Sequence, residues 1–235
     1  MSIKYILFDL DGTLLPMDQN VFTKSYFGGL ARRLAPYGYD PEELIAAIWK
    51  GSDAMVRNDG KRNNEEVFWD TMERILGERV RKDYNVFEDF YKYDFEKSRT
   101  SCGYNPDTPA VISQLLDMGY PLVLATNPLF PAIGTHARTR WAGLDTRSFR
   151  LITTFENSCH CKPNLDYYKD ILEKIGAKAE DCLMVGNDVD EDMIAEQLGM
   201  KVYLVTDCLL NRKNKDISVY PNGDIKGLLD FIKTL

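Results

Sequence analysis

Two aspartates that stand two positions apart are the residues of this sequence best suited to chemistry. Asp9 and Asp11 come directly after the short apolar run 5–8, and Gly12 and Thr13 follow them. In extended backbone, side chains at positions i and i+2 point to the same side, and two carboxylates so close repel unless a cation or a shared proton compensates them. The pair is therefore a candidate cation or acid–base site, although an ordinary strand-to-turn junction is also rich in Asp and Gly.

Polar residues follow two further apolar runs. Thr126 and Asn127 come after run 122–125, the acidic segment 186–192 (GNDVDED) follows run 183–185, and Lys162 stands at the start of a helical pattern. Ligands of doubly wound sheets bind outside the carboxyl ends of the strands, so we expect these groups to converge on one crevice. Oxygen ligands of this kind suit Mg²⁺, while a lysine and a hydroxyl suit phosphate.

Short apolar runs that alternate with amphipathic patterns predict the elements that must position these residues. Five runs have the composition of strands buried on both faces: 5–8, 122–125, 151–154, 183–185 and 202–205. Helical patterns end at Gly119, Gly176 and Gly199, which are typical C-terminal stops. We therefore predict an α/β fold, a Rossmann-like three-layer α/β/α core with a parallel sheet.

The segment between residues 15 and 99 lacks strand-like runs and is dominated by helical patterns. Asp40 followed by Pro41 predicts a helix start, Asn63 with Glu66 predicts a capping box, and Gly77 predicts a helix end. An all-helical domain inserted after the first strand is the expected arrangement. We predict a core domain of residues 1–15 and 103–235 and a helical domain of residues 16–102.

Composition excludes several classes of protein. The chain has 235 residues, 44% of them hydrophobic, and a net charge of −7, which is typical of a globular protein and argues against non-specific binding to nucleic acid. Its start does not resemble a signal peptide, and no apolar run is long enough to span a membrane. Five cysteines without secretory context predict reduced thiols and a cytoplasmic location.

The motifs together resemble those of the haloacid dehalogenase (HAD) superfamily of aspartyl-phosphate phosphohydrolases. Their order matches the family's four motifs: Asp9-x-Asp11-Gly12-Thr13 the first, Thr126 the second, Lys162 the third and segment 186–192 the fourth. The helical insertion between the first and second motifs resembles the cap of the C1-capped phosphatase branch.

The resemblance implies a role for each of these residues. Asp9 would be the nucleophile, and Asp11 would be the general acid and base. Thr126, Asn127 and Lys162 would bind the phosphoryl group, with Gly12 and Thr13 in the same loop. Mg²⁺ would be held by Asp9, the backbone carbonyl of Asp11 and the fourth motif. The carboxylate of Asp11 favours phosphoryl transfer over dehalogenation, because a halide leaving group needs no proton.

The fourth motif departs from the family's usual pattern of Gly-Asp followed by a second Asp. Here Gly186 is followed by Asn187 and then Asp188. One register makes Asp188 the metal ligand and the other makes it Asn187. In both registers Asp192 orients Lys162. We prefer Asp188, since a neutral amide would bind Mg²⁺ more weakly than a carboxylate.

Other candidate residues have simpler interpretations. Asp190 and Glu191 are expected to be exposed acids at a helix start, and Arg138 and Arg140 are expected to be charges on a helix surface. The fragment 159–161 (Cys-His-Cys) lacks the second ligand pair that a zinc site needs, which favours a plain loop.

We therefore expect a cytoplasmic, Mg²⁺-dependent phosphohydrolase that acts on a small phosphorylated metabolite through an aspartyl-phosphate on Asp9. It would be a monomer or weak homodimer without nucleic-acid or membrane partners. Three alternatives remain open: a phosphate-binding regulatory protein with the same fold and weak or no activity, a phosphomutase and a dehalogenase. No residue selects among substrates.

Overall fold

A six-stranded parallel sheet forms the centre of the computed structural model, which describes residues 3–235. The strand order is β3-β2-β1-β4-β5-β6. The strands are β1 (Tyr5–Phe8), β2 (Leu122–Leu124), β3 (Phe149–Ile152), β4 (Cys182–Gly186), β5 (Lys201–Val205) and β6 (Asn222–Gly223). The predicted parallel sheet is confirmed.

Nine α-helices surround the sheet or form the segment between β1 and β2. They are α1 (Gln19–Leu34), α2 (Pro41–Val56), α3 (Asn64–Leu76), α4 (Arg79–Lys82), α5 (Tyr84–Asp89), α6 (Asp107–Asp117), α7 (Ala132–Trp141), α8 (Leu165–Ile175) and α9 (Gly227–Lys233). This count covers residues 3–235, and none of these helices has the length and apolarity to span a membrane.

The central position of β1 follows from its sequence. It pairs with β2 on one side and β4 on the other, with Phe8 opposite both Leu124 and Val185. Ile6 and Phe8 belong to the apolar core on one face, and Leu7 to the core on the other face. Because all three side chains are fully buried, β1 is apolar throughout, as a strand covered on both faces must be.

The helical insertion, residues 19–101, contains α1 to α5, a π-helical turn (Phe90–Asp94) and a 3₁₀ segment (Phe95–Ser101). The predicted start of α2 is confirmed, because the Asp40 side chain accepts from the amides of Glu42 and Glu43. The predicted capping box at Asn63 and Glu66 is also present. The exact division of the chain into two domains stays a prediction.

The segments that enter and leave the helical insertion run side by side. Met17 and Cys102 form an antiparallel bridge, and the Gly103 amide donates to the Pro16 carbonyl at 2.7 Å. The insertion is thus connected to the core by a paired double segment.

Two predicted helices differ from those observed. The helix expected from Lys162 begins at Leu165, because Asn164 caps it and Lys162 lies in the preceding loop. The segment after Asp192 forms a 3₁₀ helix (Met193–Leu198) that ends at Gly199 with φ +89°. Strand β3 starts two residues before the predicted 151, and the two-residue β6 had no pattern to predict it.

Candidate active site

Asp9 stands where β1 ends, and its carboxylate has two partners inside the site. Its amide continues the sheet by donating to the Val185 carbonyl at 2.9 Å. Its Oδ1 accepts from Lys162 Nζ at 2.9 Å, and its Oδ2 lies 3.2 Å from the Thr13 hydroxyl. Asp9 keeps 8% of its surface exposed, so the carboxylate is oriented by the protein while remaining reachable from the adjoining cavity.

Lys162 is a buried cation between two carboxylates. Its Nζ donates to Asp9 and, at 2.6 Å, to Asp192 Oδ1, and the residue is only 1% exposed. Burial alone would lower the pKa of Lys162, but the charges of Asp192 and Asp9 raise it well above its usual value. Lys162 therefore stays protonated and supplies a fixed positive charge next to Asp9.

Asp192 supports Lys162 and also the loop before it. Its second oxygen accepts from the Asp188 amide at 2.9 Å. Burial raises the pKa of Asp192, and the positive charge of Lys162 opposes that shift. Asp192 thus lies beside Lys162, and its orienting role stays a prediction.

Asp11 pairs with a residue that we misinterpreted. Arg138, expected on a helix surface, is fully buried on α7, and its Nη1 contacts Asp11 Oδ2. Its guanidinium also lies 4.2 Å from the centre of the Phe130 ring. The prediction was wrong because α7 packs this face against the first-motif loop. Arg140 is exposed, as expected.

The electrostatic environment of Asp11 combines opposing influences. Burial raises the pKa of the Asp11 carboxyl, Arg138 lowers it, and the nearby Asp9 raises it. The net shift is upward. Asp11 Oδ1 is buried without a hydrogen-bond partner, so one oxygen of this carboxyl is held by Arg138 and the other remains available.

The loop after β2 brings Thr126 and Asn127 to the same place. The Thr126 carbonyl accepts from the Thr153 and Tyr167 hydroxyls at 2.6 and 2.9 Å. Asn127 Oδ1 accepts from the Lys162 amide at 3.2 Å. Because Asn127 joins the second-motif loop to the third, both loops are held as one unit.

Gly12 is required by a close approach. It adopts φ +91°, and a Cβ atom there would lie 2.3 Å from the Asn187 side-chain nitrogen. A larger residue would be strained in this conformation and would displace Asn187. The glycine therefore lets the first-motif and fourth-motif loops touch.

The fourth-motif segment places Asn187 and Asp188 in different surroundings. Asn187 Oδ1 lies 3.1 Å from the Thr13 hydroxyl, and its Nδ2 donates to the Cys208 carbonyl at 2.6 Å. Asp188 Oδ1 accepts from the amides of Asp190 and Glu191. Its Oδ2 accepts from Arg212 Nη1 at 2.5 Å.

Two acids of this segment are not the exposed residues that we expected. Glu191 is partly buried, lines the cavity and accepts from Asn127 Nδ2 at 3.0 Å. Burial raises the pKa of Glu191. Asp190 pairs with Lys213 and Lys215. Both expectations were wrong because the loop after β5 and the Asn127 loop fold over this segment. The local sequence does not reveal these contacts.

The donor chemistry of the site fits Mg²⁺. The acids that line it after β1 and β4 are Asp9, Asp11, Asp188, Glu191 and Asp192. Neither His nor Cys lines the cavity among the described residues. Such oxygen donors suit a hard cation. Within residues 3–235, no three His, Cys, Asp or Glu side chains form a ready-made metal cluster.

A cavity of about 520 Å³ opens above these residues. Its floor consists of the loops after β1, β2 and β4, and its opposite wall comes from α1, α2, α3 and α5 of the helical insertion. The predicted convergence is therefore observed: Asp9, Asp11, Thr126, Asn127, Asn187, Asp188 and Asp192 all line one cavity, and Lys162 contacts Asp9 beneath it.

The fragment 159–161 belongs to the junction between the insertion and the core. His160 Nδ1 lies 2.7 Å from Asp170 Oδ2, and Asn64 Nδ2 lies 3.3 Å from Cys161 Sγ. The fragment is a loop that leads into Lys162, as predicted.

Known proteins resemble this chain along nearly its whole length. One relative, the glyceraldehyde 3-phosphate phosphatase of Methanocaldococcus jannaschii, is 29% identical over 99% of this chain and 98% of its own. A solved structure of a predicted phosphoglycolate phosphatase from Haemophilus somnus has a TM-score of 0.60 at 17% identity and covers 98% of both chains.

A second solved structure is the HAD-hydrolase YfnB from Bacillus subtilis bound to magnesium. It has a TM-score of 0.59 at 19% identity, covering 99% of this chain and 100% of its own. At these identities the two structures establish the fold. The model of the haloacid dehalogenase-like hydrolases matches residues 3–199. The predictions of this family and of an HAD-type phosphatase are confirmed. The chain belongs to the haloacid dehalogenase-like hydrolase family.

Proposed function

We propose that this protein is a Mg²⁺-dependent phosphohydrolase of small phosphate monoesters that forms an aspartyl-phosphate on Asp9. The observation that carries the proposal is the contact of Asp9 with Lys162, at 2.9 Å, on the floor of a cavity that also contains Asp11. A carboxylate beside a permanent cation is suited to attack a phosphate ester whose negative charge the cation offsets.

In the first step the Asp9 carboxylate attacks phosphorus and the bond from phosphorus to the alcohol oxygen breaks. Asp11 gives its proton to that oxygen, so a neutral alcohol leaves. Lys162 and the Thr126 and Asn127 loop hold the phosphoryl oxygens during the transfer. Arg138 keeps the Asp11 carboxyl in place through its contact with Oδ2.

In the second step Asp11, now a carboxylate, takes a proton from water. The resulting hydroxide attacks phosphorus, and the bond between phosphorus and Asp9 breaks. Inorganic phosphate leaves, with Asp9 again a carboxylate and Asp11 again protonated for the next turnover. One residue serves as acid and then as base because the two steps reverse the proton demand.

Mg²⁺ would be held by Asp9, the Asp11 backbone carbonyl and Asp188, with Asn187 as the alternative to Asp188. When bound, it supplies positive charge that offsets the repulsion between the Asp9 carboxylate and the phosphate dianion. The surplus of acids over bases around the site supports this assignment, because a phosphate dianion would add further negative charge.

The helical insertion would be the cap of a C1-capped enzyme, with the core and insertion divided at about residues 15 and 103. We further propose a cytoplasmic protein that acts as a monomer or weak homodimer. The insertion's position between β1 and β2, directly over the cavity, supports the cap assignment.

The decisive experiment compares wild type with Asp9→Asn in the hydrolysis of p-nitrophenyl phosphate and a panel of phosphate monoesters, with Mg²⁺ and with EDTA. We expect turnover only with Mg²⁺ and wild type, and acid-quenched wild type should carry a phosphoryl group at Asp9. Retention of full activity by Asp9→Asn would refute the mechanism. Folded protein that binds Mg²⁺ and phosphate without turning over any ester would favour a regulatory protein.

The metal ligand of the fourth motif needs its own pair of variants. Asp188→Asn and Asn187→Ala are compared in Mg²⁺ titrations by calorimetry. We expect Asp188→Asn to weaken Mg²⁺ binding by about ten-fold or more, since it removes a charge from the site. If Asn187→Ala has the larger effect, Asn187 is the ligand.

A further inference from the structure

The wall that the helical insertion presents to the cavity is mainly aromatic. Nine of the fifteen insertion residues that line it are Phe, Tyr or Trp. Trp69 packs against Tyr84 and Phe87 with ring centres 5.1 Å apart, and Phe27 lies 5.3 Å from Trp49. Trp49 is 54% exposed and lines the cavity, so the insertion presents aromatic rings to whatever enters.

The same wall carries no positive charge. Among the described residues that line the cavity, Arg212 is the one Lys or Arg, and it is paired with Asp188 at the catalytic end. The ionised lining residues beyond that end are acids, Glu88 and Glu156. A second negative group on a substrate would therefore meet aromatic rings and carboxylates, without a cation to pair with.

One buried donor in the wall lacks an acceptor. Trp69 is only 5% exposed and lines the cavity, and its Nε1 has no hydrogen-bond partner. Buried indole N–H groups usually find an acceptor. Elsewhere in the lining, the Tyr26 and Tyr91 hydroxyls lie 2.9 Å apart, an arrangement that satisfies one hydroxyl hydrogen and leaves the other available.

From this wall we propose the substrate class: phosphate monoesters whose alcohol part is a planar aromatic group without negative charge, with a hydrogen-bond acceptor on the ring. The inference rests on the proposed function, which supplies the reaction at Asp9. The cavity of about 520 Å³ is in the range of sites that enclose drug-sized ligands. A ring system would stack on Trp49 and Phe27, and an acceptor on it would take the Trp69 N–H.

The test compares primary-alcohol phosphates, so that the acidity of the leaving group stays nearly constant. The four are propyl phosphate, 3-carboxypropyl phosphate, 2-(2-naphthyl)ethyl phosphate and its quinoline analogue. We expect kcat/KM of the naphthyl ester to exceed that of propyl phosphate by about ten-fold or more, since ring stacking adds to burial of apolar area. The carboxylated ester should be the poorest, and the quinoline should exceed the naphthalene.

Matched variants locate the effect. Trp49→Ala should lower kcat/KM of the naphthyl ester far more than that of propyl phosphate, so that the preference for the naphthyl ester falls. Tyr93→Ala is the control, because Tyr93 is also exposed on the insertion, at 68%, and lies outside the cavity lining. Trp69→Phe keeps a ring but removes the N–H, and it should abolish the preference for quinoline over naphthalene. Thermal melts establish that each variant is folded.

The outcomes separate this inference from the proposed function. If all four esters turn over in an Asp9-dependent manner but the carboxylated ester is preferred, the substrate class is wrong and the phosphatase stands. If no ester turns over, the phosphatase proposal fails, and calorimetry with the naphthylethyl and carboxypropyl phosphonates still tests the cavity. Equal affinity for the two phosphonates would overturn the inference.

Discussion

Arg138 and Asp11 form the ion pair that ties α7 to the catalytic loop. Arg138 is fully buried, whereas 22% of the Asp11 side chain is exposed. A buried arginine cannot readily lose its proton, so its charge must be paired in place. Asp11 Oδ2 is the oxygen that Arg138 contacts, and this contact gives the Asp11 carboxyl a defined orientation.

Replacing Arg138 with Met tests this dependence. The variant leaves Asp11 with no partner for Oδ2 inside the protein, and breaking such a pair costs about 3 kcal/mol of unfolding free energy. We expect that loss in urea denaturation, and a fall in kcat on the order of ten- to a hundred-fold because the proton donor is misplaced. Arg138→Lys should restore part of kcat.

The control for this variant is Arg140→Met, which removes an exposed arginine two residues along the same helix. It should change kcat and the unfolding free energy little, because an exposed charge contributes little to stability. If Arg138→Met had the same kcat and stability as Arg140→Met, the ion pair would have no part in orienting Asp11.

His136, on the same helix, gives a pH-dependent prediction. Burial and the charge of Arg140 lower the pKa of His136 below its usual 6.5, and Glu156 opposes them. The unfolded chain therefore binds this proton more readily than the folded chain. The resulting stability is present above pH 6.5 and is lost as pH falls through the lowered pKa.

Thermal melts of wild type and His136→Gln across this pH range check the sign. We expect the difference in Tm to shift in favour of the variant as the solution is acidified. Other titrating groups are common to both proteins and cancel in the difference. If the difference in Tm between wild type and His136→Gln does not depend on pH, His136 has the same pKa in the folded and unfolded chains, and the prediction is wrong.

Residues that follow strands were predictable from the sequence, and residues that reach the site through tertiary packing were not. Asp9, Thr126 and Asp188 come at or just after strand ends, and parallel strands bring such ends to one edge of the sheet. Arg138 and Glu191 have no such marker. Their approach to the site depends on how α7 and the Asn127 loop pack, which local pattern cannot specify.

At the scale of single elements, helix α2 shows how few residues define a boundary. Asp40 Oδ1 accepts from the amides of Glu42 and Glu43 at 2.9 and 3.0 Å. Pro41 occupies the first turn, where its missing N–H costs nothing. Both signals are local, which is why they were predictable.

Asp40→Ala tests the cap. Two amides lose their acceptor, and we expect unfolding free energy to fall by about 1 kcal/mol in urea denaturation. Glu42→Ala is the matched control, since it removes an exposed acid from the same first turn. It should lower the unfolding free energy by at most a few tenths of a kcal/mol, because a single exposed charge interacts only weakly with the helix dipole. If the two variants lose equal unfolding free energy, the effect of Asp40→Ala comes from the removed negative charge and not from the lost cap.

The elements that differed from prediction share a physical cause. Lys162 was expected at a helix start, but Asn164 is the better cap because its side chain accepts from the Asp166 amide at 2.9 Å. Lys162 is thereby left in a loop whose position is set by Asn127, Asp9 and Asp192. Competing caps a few residues apart are hard to rank from sequence, and tertiary contacts choose between them.

At the scale of the whole molecule, the helical insertion contacts the core at a second place besides its connecting segments. The amides that begin α3 donate to core carbonyls, Asn64 to Ser158 at 2.8 Å and Glu65 to Phe155 at 2.9 Å. The fully buried Asn64 side chain also reaches the Pro128 carbonyl, at 3.4 Å, and Cys161. These contacts lie beside the loop that carries Lys162.

This second contact could not be inferred from the sequence. The capping box at Asn63 was visible as a local pattern, but nothing in it indicated that the same helix start docks on residues 155–161. The Cys-His-Cys fragment was correctly interpreted as a loop, yet its contact with Asn64 joins residues almost a hundred positions apart. Long-range pairing of this kind follows from the closed arrangement of insertion and core.

Asn64→Ala should therefore shift the molecule toward a more open arrangement. The variant removes the side-chain hydrogen bonds to Pro128, His160 and Cys161. It also removes the one that Asn58 donates within the insertion, but it keeps the backbone hydrogen bonds. We expect a larger radius of gyration in solution scattering and a KM raised by about three- to ten-fold, because substrate binding must first close the cavity. Asn85→Ala, an exposed asparagine on α5 of the same insertion, should change neither quantity. If Asn64→Ala matches wild type in both measurements, the contact at α3 has no role in holding the insertion over the active site.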